Sequence, residues 1–189
     1  MDGVKSMRLQ ARVLTVVVAV GCVAGCSASS PPPVTPPAST APPATSAAPS
    51  PQDLAGEEAL AAYRGMWADF VSAAATSDWQ SPSLGRHATG VALTNLSRGL
   101  YADSVNGFVT RGDPVLSPAV SSAEPASAPS RVIVTDCGDS SASLKYKKSD
   151  GSPVGAGSGG RRLINAVVAL QSDGSWKVSD FGVQDIGSC

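Results

Sequence analysis

The chain has little of the residue types on which metal binding and nucleic-acid binding commonly depend. Of its 189 residues, one is histidine and four are cysteine, and the 14 basic side chains are balanced by 15 acidic ones. No basic stripe is available to follow a phosphate backbone, so we predict no nucleic-acid partner. A single histidine argues against a metal site, and we expect no metal and no cofactor.

Motifs of nucleophilic catalysis are missing as well. The sequence contains no GxSxG nucleophile elbow, no HExxH zinc motif and no Ser-x-x-Lys. The glycine-rich stretch of residues 151–160 precedes a strand-like segment and not a helix, so it does not fit a phosphate-binding loop. The sequence therefore predicts no reaction by motif.

A long apolar run is also missing, and a short one lies near the N-terminus. Residues 13–20 are almost wholly apolar and follow Lys5, Arg8 and Arg12. The run is too short to cross a bilayer as a stable helix, but this order is typical of a secretory signal. Residues 1–25 are therefore predicted to be a lipoprotein signal peptide.

The stretch VAGC, which ends at Cys26, resembles the lipobox of bacterial lipoproteins. In those proteins the cysteine thiol is alkylated by diacylglycerol and becomes the first residue of the mature chain. Each buried methylene contributes roughly 0.8 kcal/mol, so two acyl chains anchor far better than one. The resemblance implies a protein tethered to the lipid bilayer at the extracytoplasmic face of the cell membrane. The alternative is a secreted protein with an unmodified Cys26.

Residues 26–50 are predicted to be the lipidated cysteine and a disordered linker. From Ser27 to Ser50 no residue is charged, and almost all are Pro, Ala, Ser or Thr. Such a segment cannot bury enough apolar area to offset its ordering entropy. At about 3.1 Å per residue in polyproline II, it would reach on the order of 75 Å. Residues 51–189 then have the size of a single domain. With the signal removed, the chain keeps 11 basic and 14 acidic side chains, a net charge of −3.

The predicted domain begins with helices. Ser50, Pro51 and Asp53 provide an N-cap, a first-turn proline and an N3 carboxylate. Spacings of three and four then predict one buried face, formed by Leu60, Tyr63, Trp67, Phe70 and Ala74. Asp69 lies elsewhere on this helix. The aromatic members Tyr63, Trp67 and Phe70 are candidates to line a cavity, and the alternative is that they form core alone.

A second helix start at Ser81-Pro82 opens a glycine-interrupted region. Gly85, Gly90 and Gly99 each weaken a helix by up to about 1 kcal/mol relative to Ala, which favours two short helices over one. After Tyr101, strands are predicted in NGFVTRG, PVLSPAV, RVIVTDC and SLKYKK. RRLINAVVAL and SWKVSDFGV are predicted to form a hairpin with a type I′ turn at Asp173-Gly174. Helices followed by antiparallel strands indicate an α+β fold.

The segments SDWQSPSLGRHATGVAL, GFVTRGDPVLSP, VIVTDCGDSS and WKVSDFGVQDIGSC resemble a family of actinobacterial secreted proteins and lipoproteins of unknown function. The resemblance covers roughly residues 57–189. It implies a nuclear transport factor 2-like fold, in which N-terminal helices form a cone with a strongly curved antiparallel sheet. That fold hosts isomerases, dehydratases and cyclases, and also many members with no known activity, so it does not give a function.

The cysteines fit an exported domain. Cys22 is lost with the signal and Cys26 is lipidated, which leaves Cys137 and Cys189. Two cysteines in an exported domain predict a disulfide bond.

Two function classes remain. The first is a non-enzymatic binding or scaffold module of the cell envelope, with an envelope protein or a small apolar molecule as its partner. The second is an isomerase- or hydrolase-like enzyme that uses the single histidine, His87, as an acid–base group with Asp136 or Asp78 inside the cone. His87 and Asp136 are weak catalytic candidates, because no second group is marked by spacing. The other interpretation of His87 is a hydrogen bond within a loop beside Trp79.

Overall fold

The computed structural model of the protein describes residues 48–155 and 159–189. The predictions for the signal peptide, for Cys26 and for most of the linker fall on residues 1–47 and lie outside the described residues. Within the described ranges, no helix combines the length and the apolar character needed to cross a membrane.

The first helix, α1, runs from Pro51 to Ala74 and begins where its capping residues predict. The Asp53 N–H donates to Ser50 Oγ over 3.2 Å, and the Ser50 N–H donates to Asp53 Oδ2 over 3.0 Å. These reciprocal bonds form a capping box, which satisfies two backbone donors at the start of the helix. The predicted face is buried at Tyr63 and Ala74 and partly buried at its other members.

The strands form two antiparallel sheets. Their bounds in chain order are β1 Phe108–Arg111, β2 Ala119–Glu124, β3 Arg131–Asp139, β4 Leu144–Lys147, β5 Arg161–Leu170 and β6 Trp176–Val183. One sheet has the order β2-β3-β5-β6, and β1 pairs with β4 in the other. With α1 and the central strands sharing one core, the predicted α+β class, helices packed on an antiparallel sheet, is confirmed.

The inner face of the larger sheet follows the alternation of its strands. In β3 the residues Val132, Val134 and Asp136 are buried, and in β5 the residues Ile164, Ala166 and Val168 are buried. Side chains two residues apart lie on the same face of a strand. Gly138 in β3 and Arg162 in β5 continue these two rows and pair with each other in the register. The inner face is therefore apolar along most of its length and becomes polar at one end.

The glycine-interrupted region forms two helices, as predicted. Helix α2 is a single turn, Leu84–His87, and α3 runs from Gly90 to Val105. Between them, the extended Ala88 pairs with Val178 of β6, and the Thr89 N–H donates to the Val178 carbonyl over 2.9 Å. A backbone pairing with the sheet thus separates the helices at this point, in addition to the low helix propensity of glycine.

Two local predictions differ from the structure. The PVLSPAV segment was predicted as a strand, but β2 begins only at Ala119, and Val115 makes an isolated bridge to Asp139. The β5–β6 turn is not type I′, because that turn needs positive φ at both central residues and Asp173 is not among the residues with positive φ. Gly174 alone has positive φ, at 84°. Asp173 Oδ1 instead accepts the Ser175 N–H over 2.9 Å, as short polar side chains do in turns.

Candidate functional site

A cavity of about 320 Å³ lies between the helices and the polar end of the inner sheet face. Its apolar wall comes from the C-terminal half of α1 together with strand and loop residues, namely Trp67, Phe70, Val71, Leu116, Ile164 and Val183. Its polar groups include Asp103 of α3, Lys145 of β4 and Arg162 of β5. The volume is at the lower end of the range of about 300–1,000 Å³ for small-molecule sites, which are also mostly apolar with a few polar groups.

The aromatic part of the wall is held by edge-to-face packing. The ring centroids of Trp67 and Phe70 lie 5.8 Å apart, and those of Trp67 and Phe181 lie 5.9 Å apart. Such pairs contribute about 0.5–1.5 kcal/mol beyond the burial of their area. Trp67 and Phe70, two of the three residues predicted to line a cavity, do line this one.

Tyr63, the third predicted lining residue, does not line this cavity. It is fully buried, and its hydroxyl donates to Asp136 Oδ2 over 3.0 Å. Asp136 also accepts the Ser117 N–H at Oδ1 over 2.7 Å. Burial of the hydroxyl, and next the negative charge of Asp136, raise the pKa of Tyr63 above its ordinary value. Both partners are thus engaged in a buried hydrogen-bond network that holds α1 to β3.

The predicted pairing of His87 with Asp136 or Asp78 is wrong. His87 Nδ1 lies 2.8 Å from Asp69 Oδ2, while Asp136 is occupied by Tyr63 and Ser117, and Asp78 accepts the Gln80 N–H. Arg86 contacts the other oxygen of Asp69. Asp69 was not predicted as the partner, because its position falls outside the spacing that marks the predicted buried face of α1, whereas in the structure Asp69 is 3% exposed.

A glycine explains how the histidine reaches that carboxylate. Gly65 and Asp69 are four residues apart and therefore lie on the same face of α1. A Cβ placed on Gly65 would lie 2.7 Å from three atoms of the His87 ring. The missing side chain leaves the space that the ring occupies beside Asp69. Gly65 was the available signal, since a glycine inside an amphipathic helix often marks a close approach.

His87 is separate from the cavity. It is not among the cavity's lining residues, and its side chain is 38% exposed. If Nδ1 carries the proton toward Asp69, Nε2 is the acceptor nitrogen of the ring. An oriented histidine of this kind has the form of a general base, but the cavity wall is built from other residues.

The two basic groups on the cavity wall differ in their partners. Lys145 Nζ pairs with Asp103 Oδ1, a carboxylate that is buried on α3. Arg162 donates from Nη1 to the Gln184 carbonyl over 3.4 Å and has no ion pair within the described part of the chain. None of these three residues was predicted from the sequence, because no motif or spacing marks them.

Cys137 and Cys189 are joined in the structure, as the cysteine usage predicted. Their Cα atoms lie 5.9 Å apart, and the bond joins residues 52 positions apart in sequence. Arg161 directs Nε and Nη2 to the Cys137 sulfur over 3.3 and 3.2 Å. The bond holds the segment after β6 against the end of β3.

No group of three or more histidine, cysteine or acidic residues lies close enough to hold a metal ion in residues 48–155 and 159–189. Cys26, the predicted lipidation site, lies outside these residues.

Neither a family model nor a curated protein matches the chain. Among solved structures, the chain is similar to the intermembrane space region of the chloroplast protein ARC6, with 14% identity, a TM-score of 0.41, and coverage of 67% of this chain and 95% of that one. It is also similar to a ketosteroid isomerase-like protein from Erwinia carotovora atroseptica SCRI1043, with 13% identity, a TM-score of 0.41, and coverage of 66% and 91%. These likenesses are too low to support a conclusion about function.

Proposed function

We propose that the protein is a lipid-anchored, extracytoplasmic binding module of the cell envelope, and that its cavity takes up a small molecule with a large apolar surface. The observation that carries the binding role is the cavity wall, where Trp67 and Phe70 face a volume of about 320 Å³. Aromatic and aliphatic walls of this kind favour apolar ligands, because burying apolar area releases about 25 cal/mol per Å².

The location is supported by the sequence. A positive start, a short apolar run, VAGC and a linker rich in Pro, Ala, Ser and Thr follow one another in the order found in bacterial lipoproteins. The same proposal includes membership of the actinobacterial lipoprotein family that the sequence resembles, with a nuclear transport factor 2-like domain.

The anchor is tested by replacing the cysteine that would carry it. Cys26→Ala removes the thiol that is alkylated, so we expect the variant to leave the detergent phase in phase partitioning. Cys22→Ala is the matched control, since Cys22 lies within the predicted signal and should not affect anchoring. A Cys26→Ala protein that still partitions with membranes like the wild type would contradict the lipoprotein proposal.

The cavity is tested with a neutral apolar dye, phenylnaphthylamine, on the full chain carrying Cys26→Ala. Gly99 lies on the cavity wall, and a Cβ placed there meets no atom within 4 Å. Gly99→Phe should therefore introduce a ring at the cavity without backbone strain and abolish the dye's fluorescence increase. Gly85→Phe is the matched control, because Gly85 is also helical and unobstructed but does not line the cavity. Equal binding in both variants, or none in the parent, would refute a cavity site.

The alternative is the enzyme that uses His87 with an aspartate in the cone cavity. The Asp69–His87 hydrogen bond supports it in part, because it supplies the partner that a general base needs. The position of His87 outside the cavity wall favours the binding module. His87→Ala should leave dye binding and the cellular role intact in a complementation assay, whereas the enzyme requires a complete loss at normal abundance.

A further inference from the structure

Arg162 occupies a position where the sheet otherwise presents apolar side chains. It shares a face of β5 with Ile164, Ala166 and Val168, all of which are buried against the helices. Its neighbour Arg161 lies on the opposite face and is exposed. Arg162 itself is half-buried. An arginine in the inward row of a strand is not required by core packing, because arginine is mostly exposed in folded proteins.

The cavity wall beside this arginine is apolar and closely packed. Gly138 is the register partner of Arg162 in β3 and also lines the cavity. A Cβ at position 138 would lie 2.9 Å from Ile164 Cδ1, so a larger residue would displace the apolar wall. The glycine therefore leaves room for Ile164 and Leu116, the latter 3.7 Å from such a Cβ, to form the apolar wall next to Arg162.

The ionic groups that line this end of the cavity are not all paired with one another. Lys145 is neutralised by Asp103, and Arg162 has no carboxylate partner among the described residues. Residues 156–158 are Ala, Gly and Ser and carry no charge. The three ionic groups that line the cavity thus sum to one positive charge, and the nearby buried Asp136 carboxylate, 3.8 Å from a Cβ placed at position 138, is held by Tyr63 and Ser117. The guanidinium offers five N–H donors and makes one long contact to Gln184.

We propose that the cavity binds an amphiphilic carboxylate, a fatty-acid-like molecule whose head group pairs with Arg162 and whose apolar tail lies along Trp67 and Phe70. This proposal rests on the proposed binding function and names the ligand class of that site. A carboxylate matches the single excess positive charge, and its two oxygens match the fork of the guanidinium, which favours bidentate pairing. The apolar wall receives the tail.

The experiment measures binding of decanoate and of decanol to the full chain carrying Cys26→Ala, by isothermal titration at neutral pH. The two probes share a tail length and differ in the charge of the head group. We expect Arg162→Gln to weaken decanoate binding by about tenfold or more, the size of a lost charge-assisted hydrogen bond, and to change decanol binding little. Arg161→Gln is the matched control on the opposite face. Arg162→Lys keeps the charge without the fork and should retain part of the affinity.

The outcomes separate this inference from the proposed function. Decanol binding with no preference for decanoate, or an equal loss in Arg161→Gln and Arg162→Gln, overturns the carboxylate site and leaves the apolar cavity site standing. Failure of both probes to bind overturns the cavity function itself. If Arg162→Gln lowers the unfolding temperature, the wild type is compared with Arg162→Lys instead. An affinity for decanoate over decanol that is as large in Arg162→Lys as in the wild type would then refute the pairing of the head group with the guanidinium.

Discussion

At the scale of single residues, the buried polar groups show how little freedom the core leaves to ionisable side chains. Tyr63 and Asp136 are both almost fully buried, and each satisfies the other. Asp69 is also buried and is held by Arg86 and His87 from another helix. A buried charge without a partner costs several kcal/mol, so each of these carboxylates depends on its neighbours.

The Tyr63 hydroxyl should titrate only when the protein unfolds. An unfolded tyrosine ionises near pH 10, and the folded pKa is raised above that value by burial and by Asp136. Stability linked to this group is therefore fully present below about pH 10 and is lost as the pH rises further. Near-ultraviolet titration should show part of the phenolate signal appearing only with unfolding, and Tyr63→Phe should remove that part. A folded protein in which all phenolate signal appears reversibly before unfolding would contradict this prediction.

At the scale of secondary-structure elements, the contact between α1 and α2 depends on the absence of one side chain. Gly65 lies inside α1, where alanine would ordinarily raise helix stability by about 1 kcal/mol. Here the added Cβ would push the His87 ring away from Asp69. The gain in helix propensity and the loss of the His87–Asp69 hydrogen bond therefore oppose each other.

A double-mutant cycle separates these two effects. We expect Gly65→Ala to lower the free energy of unfolding in the wild type, by about 1 kcal/mol, because it breaks the bond to a buried carboxylate. In a His87→Ala background the same change should raise stability by a similar amount. Urea denaturation of the four proteins gives the cycle, and Gly99→Ala is the control that should act alike in both backgrounds. Equal effects of Gly65→Ala in the two backgrounds would refute the contact.

The elements themselves were largely predictable, because their signals are local. The capping residues predicted the start of α1, and RVIVTDC and RRLINAVVAL were predicted as the two strands that lie at the centre of the larger sheet. The start of β2 at Ala119 was not predictable in this way, because the Ser117 N–H donates a hydrogen bond to the side chain of Asp136, which is distant in sequence. The prediction of a type I′ turn was wrong because the Asp173 side chain accepts a local hydrogen bond from the Ser175 N–H, which favours a different turn.

The candidate site was predictable only in part, because it is a property of the whole molecule. Trp67 and Phe70 were predicted from the spacing of apolar residues within one helix, α1. The polar groups of the cavity come from α3, β4 and β5, and no sequence spacing relates Asp103, Lys145 and Arg162 to one another. The prediction of a partner for His87 was wrong for the same reason, because that partner depends on how α2 packs against α1.

The disulfide bond between Cys137 and Cys189 constrains the described domain covalently, and its removal should lower the free energy of unfolding measurably. By the chain-entropy model, closing a loop of this length contributes about 4 kcal/mol to stability. The variant Cys137→Ser/Cys189→Ser should unfold at a lower urea concentration by a corresponding amount. In the exported wild type, denatured without reductant, alkylation should label no thiol, and after reduction it should label two. Two labelled thiols before reduction would show that the bond does not form.

The same bond changes what a single cut in the backbone would do. The loop after β3, β4, the glycine-rich stretch and the β5–β6 hairpin all lie between Cys137 and Cys189. A protease that cleaves once anywhere in that interval opens a ring and does not release a fragment. At the extracytoplasmic location that we propose, a copy cut once by a protease would therefore keep both parts of its sheet in one molecule.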